Sequence, residues 1–145
     1  MSRRVVAVAL IAGSVAAAVL MSRAFAQASA SKLVPASEVA WAAARPGQDS
    51  SVLWGDPRTG PFGRFSRFAD GFVDRPHVHS RDLRVVVVSG VMVVQVRDEM
   101  PKELGPGSYG LIAGGTAHTH SCKAGNACVV FVEQDGPNDT SPARP

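Results

Sequence analysis

The sequence predicts an all-β fold, an antiparallel sandwich or barrel, preceded by a segment that directs export. Hydrophobic residues make up 46% of the 145 positions and charged residues 19%, which suits a chain that buries a core. After residue 51 the chain consists of short apolar or alternating runs separated by Gly, Pro, Asp and Asn, a spacing that favours antiparallel strands over βαβ units. The predicted strands are Val52–Trp54, Gly63–Phe68, Phe72–Val78, Leu83–Ser89, Val91–Arg97, Ser108–Ala113, His118–Cys122 and Cys128–Glu133.

The first 26 residues have the pattern of a secretory signal peptide. Arg3 and Arg4 precede an apolar run, and the triplet Ala24-Phe25-Ala26 predicts cleavage before Gln27. The run holds about 16 residues and a spanning helix needs about 20, so cleavage is favoured over a retained membrane anchor. We therefore expect a periplasmic or secreted protein with no membrane contact after cleavage.

The net charge argues against a nucleic-acid partner. The chain has 15 Lys+Arg and 12 Asp+Glu, a formal charge of +3. Three of the basic residues and none of the acidic ones lie in residues 1–26, so the remainder balances at 12 against 12. No basic excess is left to bind nucleic acid or an anionic membrane.

Four segments follow from these patterns: a signal peptide over 1–26, an N-terminal extension over 27–50, the barrel over 51–136 and a mobile tail over 137–145. The extension carries a candidate short helix over Ser37–Ala44, ended by Pro46-Gly47. The tail is rich in proline and polar residues.

Two further features concern the barrel's surroundings. Val85–Val88 is apolar at four consecutive positions, so its outward face needs cover from the N-terminal segment or from a second copy in a homodimer. Cys122 and Cys128 bracket a Gly-Asn turn, which predicts a disulfide across a hairpin, with two buried free thiols as the alternative.

The four histidines fall into two H-x-H pairs, His77-Val78-His79 and His118-Thr119-His120. Residues i and i+2 of a strand project from the same face, so each pair can direct two imidazoles at one point. Imidazole is the commonest metal-binding side chain. The pairs therefore predict a metal site, and histidine ligation predicts metal loss as the pH falls through roughly 6.

The pattern around these histidines resembles the cupin superfamily. Its first motif, G-x5-H-x-H-x3or4-E-x6-G, is similar to Gly71, His77, His79 and Gly90, and its second motif to Gly107, Gly115 and His118. The stretches LWGDPRTGPFG, LGPGSYG and EQDGP are similar to a branch of exported bacterial cupins of unknown function. The resemblance implies a double-stranded β-helix, the cupin jelly-roll barrel, with a metal inside.

The chain departs from the motifs at the usual carboxylate ligand. Leu83 or Arg84 stands where the first motif has Glu, and Asp82 would replace it only after a register shift. His120 is our candidate for the fourth ligand; the alternative places it at the barrel mouth, supporting a ligand or transferring protons. The second motif's proline and asparagine are Ala113 and Cys122.

The resemblance implies that His77, His79 and His118 bind one divalent transition metal, with Fe, Mn, Ni, Cu and Zn all open. The expected function is a small-molecule dioxygenase or isomerase. The alternatives are a non-catalytic cupin that binds a small molecule without the Glu ligand, or one in which the barrel is a scaffold.

Overall fold

Residues 31–143 are described by the structure, a computed structural model, and they form two antiparallel β-sheets around a shared interior. The predicted signal peptide over 1–26 and its cleavage site lie outside this range. Between residues 31 and 143, no helix has the length and apolar character needed to cross a membrane. The elements in this range are a 3-10 helix at Ala36–Glu38 and the strands β1 Ala42–Arg45, β2 Gln48–Gly55, β3 Phe62–Phe68, β4 His77–Val78, β5 Leu83–Ser89, β6 Met92–Val96, β7 Lys102–Leu104, β8 Tyr109–Ile112, β9 His118–Cys122, β10 Cys128–Gln134 and β11 Ser141–Pro142.

The strands are arranged as a jelly roll, which confirms the predicted all-β barrel. One sheet has the order β1-β2-β3-β10-β5-β8 and the other β11-β4-β9-β6-β7, with every neighbouring pair antiparallel. β10 shows the expected alternation, since Cys128, Val130, Val132 and Gln134 are buried and the residues between them are half-buried. The buried face of each sheet forms the core and the wall of an internal cavity.

The N-terminal segment differs from the prediction, because a strand occupies the last three residues of the expected helix, Ala42 to Ala44. Only Ala36–Glu38 is helical, and β1 pairs with β2 across the two-residue turn Pro46-Gly47. Gly47 has φ +76°, and Pro followed by such a glycine is typical of a type II turn. The turn that was expected to end a helix therefore connects the two strands of a hairpin. The sheet begins at Ala42, nine residues before the expected boundary of the barrel at residue 51.

The C-terminal residues also differ, because the segment expected to be a mobile tail is folded against the barrel. We call residues 137–143 the C-terminal strap. β11 of the strap pairs with β4 through Ser141↔Val78 and Pro142↔His77. The amide of Ala143 donates to the Pro76 carbonyl at 3.1 Å. The strap is thus the edge strand of the sheet that carries the histidines; residues 144–145 lie outside the described range.

The predicted disulfide is present, but it does not clip a hairpin. Cys122 ends β9 in the five-stranded sheet, and Cys128 begins β10 in the six-stranded sheet. Their Cα atoms are 5.7 Å apart and both residues are buried. The bond therefore links the two sheets at the corner where the chain passes from one to the other.

The outward face of β5 and β8 carries exposed apolar side chains, as the run Val85–Val88 predicted. Val86 and Val88 are 36% and 48% exposed, and Tyr109 and Leu111 on β8 are 58% and 53% exposed. The inward residues of the same strand, among them Val85, line the cavity. The two faces of β5 thus have different environments, as an antiparallel strand requires.

Candidate metal centre

Three of the four histidines meet on the inner wall of the barrel. His77 on β4 and His118 on β9 are direct cross-strand partners, and His79 follows His77 by two residues on the same side of the chain. Ring centroids lie 4.3 Å apart for His77–His118, 5.0 Å for His77–His79 and 5.4 Å for His79–His118. One ring nitrogen from each lies within 4.8 Å of the other two, and all three residues are at most 8% exposed.

Backbone carbonyls hold all three imidazoles in one tautomer. Nδ1 of His77 donates to the Arg75 carbonyl at 2.7 Å, Nδ1 of His118 donates to the Thr116 carbonyl at 3.0 Å, and Nδ1 of His79 donates to the carbonyl of Asp139. A carbonyl can only accept, so Nδ1 carries the proton and Nε2 keeps its lone pair. Metal-binding histidines are commonly oriented by such a bond from the other ring nitrogen.

The environment of His79 and His118 favours their neutral form. Burial lowers the pKa of His118 to about 4, and the charges of His77 and His79 act in the same direction. Burial also lowers the pKa of His79. Nε2 of His118 is buried and has no hydrogen-bond partner among the described residues. A buried acceptor without a partner is costly, and a bound cation would satisfy it. The three residues therefore fit a divalent metal ion.

His120 lies beside this group, and its nearest charged neighbour is Asp74. Nε2 of His120 is 3.6 Å from Oδ2 of Asp74, and Nδ1 of His77 is 3.9 Å from the same oxygen. Asp74, His77 and His120 form a second set whose donor atoms lie within 4.8 Å of one another. The His120 ring packs against Phe68, with centroids 5.1 Å apart, and burial lowers its pKa to about 3. His120 as a fourth ligand of the three-histidine group stays a prediction.

Asp74 is a charged member of the site that the sequence motifs did not single out. Both of its oxygens accept hydrogen bonds from Arg45, with 2.8 Å between Nη1 and Oδ1. Burial alone would raise the pKa of Asp74, but this pairing and the charges of His120, Arg45 and His77 lower it to about 2. Its position three residues before His77 is the signal that could have identified it.

The carboxylate position of the cupin motif is apolar. Leu83 lines the cavity and is 8% exposed. Asp82 accepts a hydrogen bond from the amide of Gly114 at 2.9 Å, and Arg84 forms an ion pair with Asp135 at 2.9 Å. Neither Asp82 nor Arg84 lines the cavity, so no register shift brings a carboxylate to the three histidines from this strand.

The C-terminal strap completes the site from outside the motifs. Besides the bond from His79 to its carbonyl, Asp139 accepts hydrogen bonds from the amide of Ser80 through both carboxylate oxygens, each at 3.2 Å. The fully buried Gln134 donates through Nε2 to the Pro137 carbonyl at 3.0 Å. The strap thereby fixes the segment that carries His79.

The histidines open onto a cavity of about 470 Å³ between the sheets. That volume falls within the usual range of small-molecule sites, about 300–1,000 Å³. Most of the wall is apolar, with Val85, Val130 and Val132 from one sheet and Val94 and Val96 from the other. The polar residues of the wall include the histidines, Arg64 and Ser66 on β3, and Asn138 and Thr140 on the strap.

The jelly-roll barrel has a cupin-like fold, and the paired histidines lie on its inner wall. Within that class, residues 27–142 match the family described as a domain of unknown function (DUF4437), and the chain belongs to that family. A search of curated proteins finds none with significant sequence similarity.

Solved structures of several cupins share the fold at low sequence identity. KdgF from Halomonas sp. is 23% identical, with a TM-score of 0.61 over 72% of this chain and 94% of its own. The polyketide cyclase RemF from Streptomyces resistomycificus is 20% identical, with a TM-score of 0.65 over 79% and 86%. An RmlC-like cupin from Shewanella frigidimarina is 18% identical, with a TM-score of 0.58 over 72% and 92%.

Proposed function

We propose that this protein binds one divalent transition-metal ion through His77, His79 and His118 and presents it to a small molecule in the barrel. The observation that carries the proposal is the shared tautomer: each Nδ1–H is donated to a backbone carbonyl, which leaves three Nε2 lone pairs in one buried group. Nitrogen ligands suit Fe, Mn, Ni, Cu and Zn, and the set contains no thiolate that would narrow this choice.

The reaction class that this arrangement supports best is a dioxygenase-like or isomerase-like conversion of a small molecule. When bound, the metal would supply polarisation of a substrate oxygen or activation of dioxygen. The chain's own residues supply an apolar wall that excludes water and, in His120, a neutral ring nitrogen without a hydrogen-bond partner. One of the proteins with a similar fold is a polyketide cyclase. This similarity supports a catalytic role for the present chain but does not indicate the reaction.

Elemental analysis of untagged protein tests the metal proposal. We expect a stoichiometric metal in the wild type and in the surface control Arg84→Gln, and its loss in His118→Ala. His120→Ala decides whether that residue is a ligand: an unchanged metal affinity would remove His120 from the ligand set. Absence of metal from wild-type protein after reloading with each of the five candidate ions would refute the proposal.

The second candidate function is a small-molecule-binding cupin without catalysis, and Leu83 favours it. A leucine at the carboxylate position leaves a ligand set with no negative charge. Spectroscopy of Co(II)-loaded protein separates the two candidates, because azide changes the visible spectrum only where the metal has an exchangeable position. A spectral shift with azide supports the enzyme, and a spectrum that does not respond supports the binding protein.

We also propose that residues 1–26 direct export to the periplasm or the medium and are then removed. The disulfide supports this proposal, because such bonds persist in oxidising compartments. The intact mass of protein recovered from the periplasm should correspond to a chain that starts at Gln27. Full-length protein retained in the cytoplasm would contradict it.

A further inference from the structure

Arg64 is an arginine on the cavity wall whose charge has no partner. It lies on β3 among inward-facing residues, between the buried Phe62 and Ser66, and it lines the cavity. The guanidinium forms no hydrogen bond or ion pair with any residue in the range 31–143, and its Nε is buried. Two other arginines of the same sheet are paired, Arg45 on β1 with Asp74 and Arg67 on β3 with Asp49.

An unpaired guanidinium in such a place is costly, and its surroundings add to the cost. Burial lowers the pKa of Arg64, and the positive charge of Arg45 lowers it further. Removing a charged group from water without a partner is unfavourable unless a ligand supplies one. An anion or a strong hydrogen-bond acceptor bound in the cavity would therefore interact favourably with Arg64.

The groups around Arg64 are arranged to donate hydrogen bonds. Its Cζ lies 5.2 Å from the centroid of the Phe62 ring, a stacking that leaves the in-plane N–H groups free to donate. Ser66 follows two residues later on the same face; it is fully buried, and its hydroxyl has no partner among the described residues. Arg64 lines the same cavity as His77, His79 and His118.

We propose that Arg64 binds the carboxylate of a small organic acid whose apolar body fills the valine-lined part of the cavity. A carboxylate matches one unpaired guanidinium, because Arg45 is already neutralised by Asp74 and the remaining cation of the cavity lining, Lys102, is exposed to solvent. The inference deepens the proposed function by naming the class of small molecule; it rests on that function only where it places the acid beside the metal.

Matched ligand pairs test the proposal by calorimetry. We compare hexanoate with hexanamide and benzoate with benzamide, which differ in charge and little in shape. Wild-type protein should bind each acid at least about tenfold more tightly than its amide, the scale expected for a hydrogen-bonded charge pair. Arg64→Gln should abolish that preference, because it lowers the affinity for each acid more than the affinity for the matching amide. Arg84→Gln, an arginine outside the cavity, should keep it.

The design separates this proposal from the metal proposal. The same titrations are run on metal-loaded and on chelator-treated protein, so an acid preference that persists without metal supports the Arg64 site even if the metal centre fails. Equal affinity for acids and amides in wild-type protein, no binding of either acid at millimolar concentration, or an undiminished preference in folded Arg64→Gln would overturn it. Tighter binding of phenyl phosphate than of benzoate would overturn the choice of a carboxylate.

Discussion

Metal-free protein should lose stability as the pH falls below about 6.5, and His118 should account for a defined part of that loss. His118 is 3% exposed, and burial lowers its pKa from 6.5 to about 4. Below pH 6.5 the unfolded chain therefore takes up a proton at this position, whereas the folded chain stays neutral until the pH approaches 4. The contribution of neutral His118 to stability is complete above 6.5 and declines through that window.

The magnitude follows from the size of the shift. A difference of about 2.5 pKa units at about 1.4 kcal/mol per unit amounts to about 3 kcal/mol. A typical domain has an unfolding free energy of about 5–15 kcal/mol, so this single residue can account for a large share of acid sensitivity.

Urea unfolding in the presence of EDTA, between pH 7 and pH 4.5, measures the effect. The free energy of unfolding of wild-type protein should fall more steeply with pH than that of His118→Gln, by about 1.4 kcal/mol per pH unit below 6.5. Arg84→Gln should follow the wild-type slope. If wild type and His118→Gln have parallel slopes, the burial argument is wrong.

Four further predictions concern the metal, the disulfide and the strap. Because burial lowers the pKa of His79 and His118, release of a bound metal should be centred below the pH of roughly 6 predicted from an ordinary imidazole, and dialysis that removes all metal at pH 6 would contradict this. Reducing the disulfide between Cys122 and Cys128, which are six residues apart, should lower the free energy of unfolding by about 2 kcal/mol. The shift of the urea midpoint measures this loss, and the variant with both cysteines replaced by alanine should show the same shift. Deleting residues 137–145, which removes the Asp139 carbonyl that accepts from His79, should weaken metal affinity by about 10- to 100-fold with the barrel retained, and an unchanged dissociation constant would exclude the strap from the site. Leu83→Glu should tighten metal binding, because it adds a carboxylate ligand, and should destabilise the metal-free protein, because that carboxylate is then buried without a partner. Thermal unfolding with and without metal would show the two opposite effects.

The barrel was predictable because side-chain patterns encode it directly. β5 and β9 have the predicted bounds Leu83–Ser89 and His118–Cys122, since turn residues flank each strand. The H-x-H pairs predicted that the imidazoles would lie together, because residues i and i+2 project from the same face of a strand. The pairing of β4 with β9 then brings the two faces side by side.

The sequence did not predict β1 or β11, because these strands form through backbone pairing with a neighbouring strand and have no distinctive side-chain pattern. β1 consists of three alanines and an arginine and is a strand only because β2 lies beside it. β11 is a Ser-Pro dipeptide at a sheet edge, and Asp139 contacts His79 through its carbonyl, a group that every residue possesses. Tertiary context decides such cases, and local propensity does not.

The position of the C-terminal strap has a consequence for when and where a metal could be acquired. Translation produces the strap after all the other strands of the barrel, yet the strap pairs with the strand that begins at His77 and supplies the acceptor for His79. A chain whose strap has not yet been synthesised therefore holds histidines that lack their final orientation, and high metal affinity would arise only after the strap has paired with β4. A metal that fills the site would then be selected by the ions present where folding is completed, and not by those present where synthesis begins.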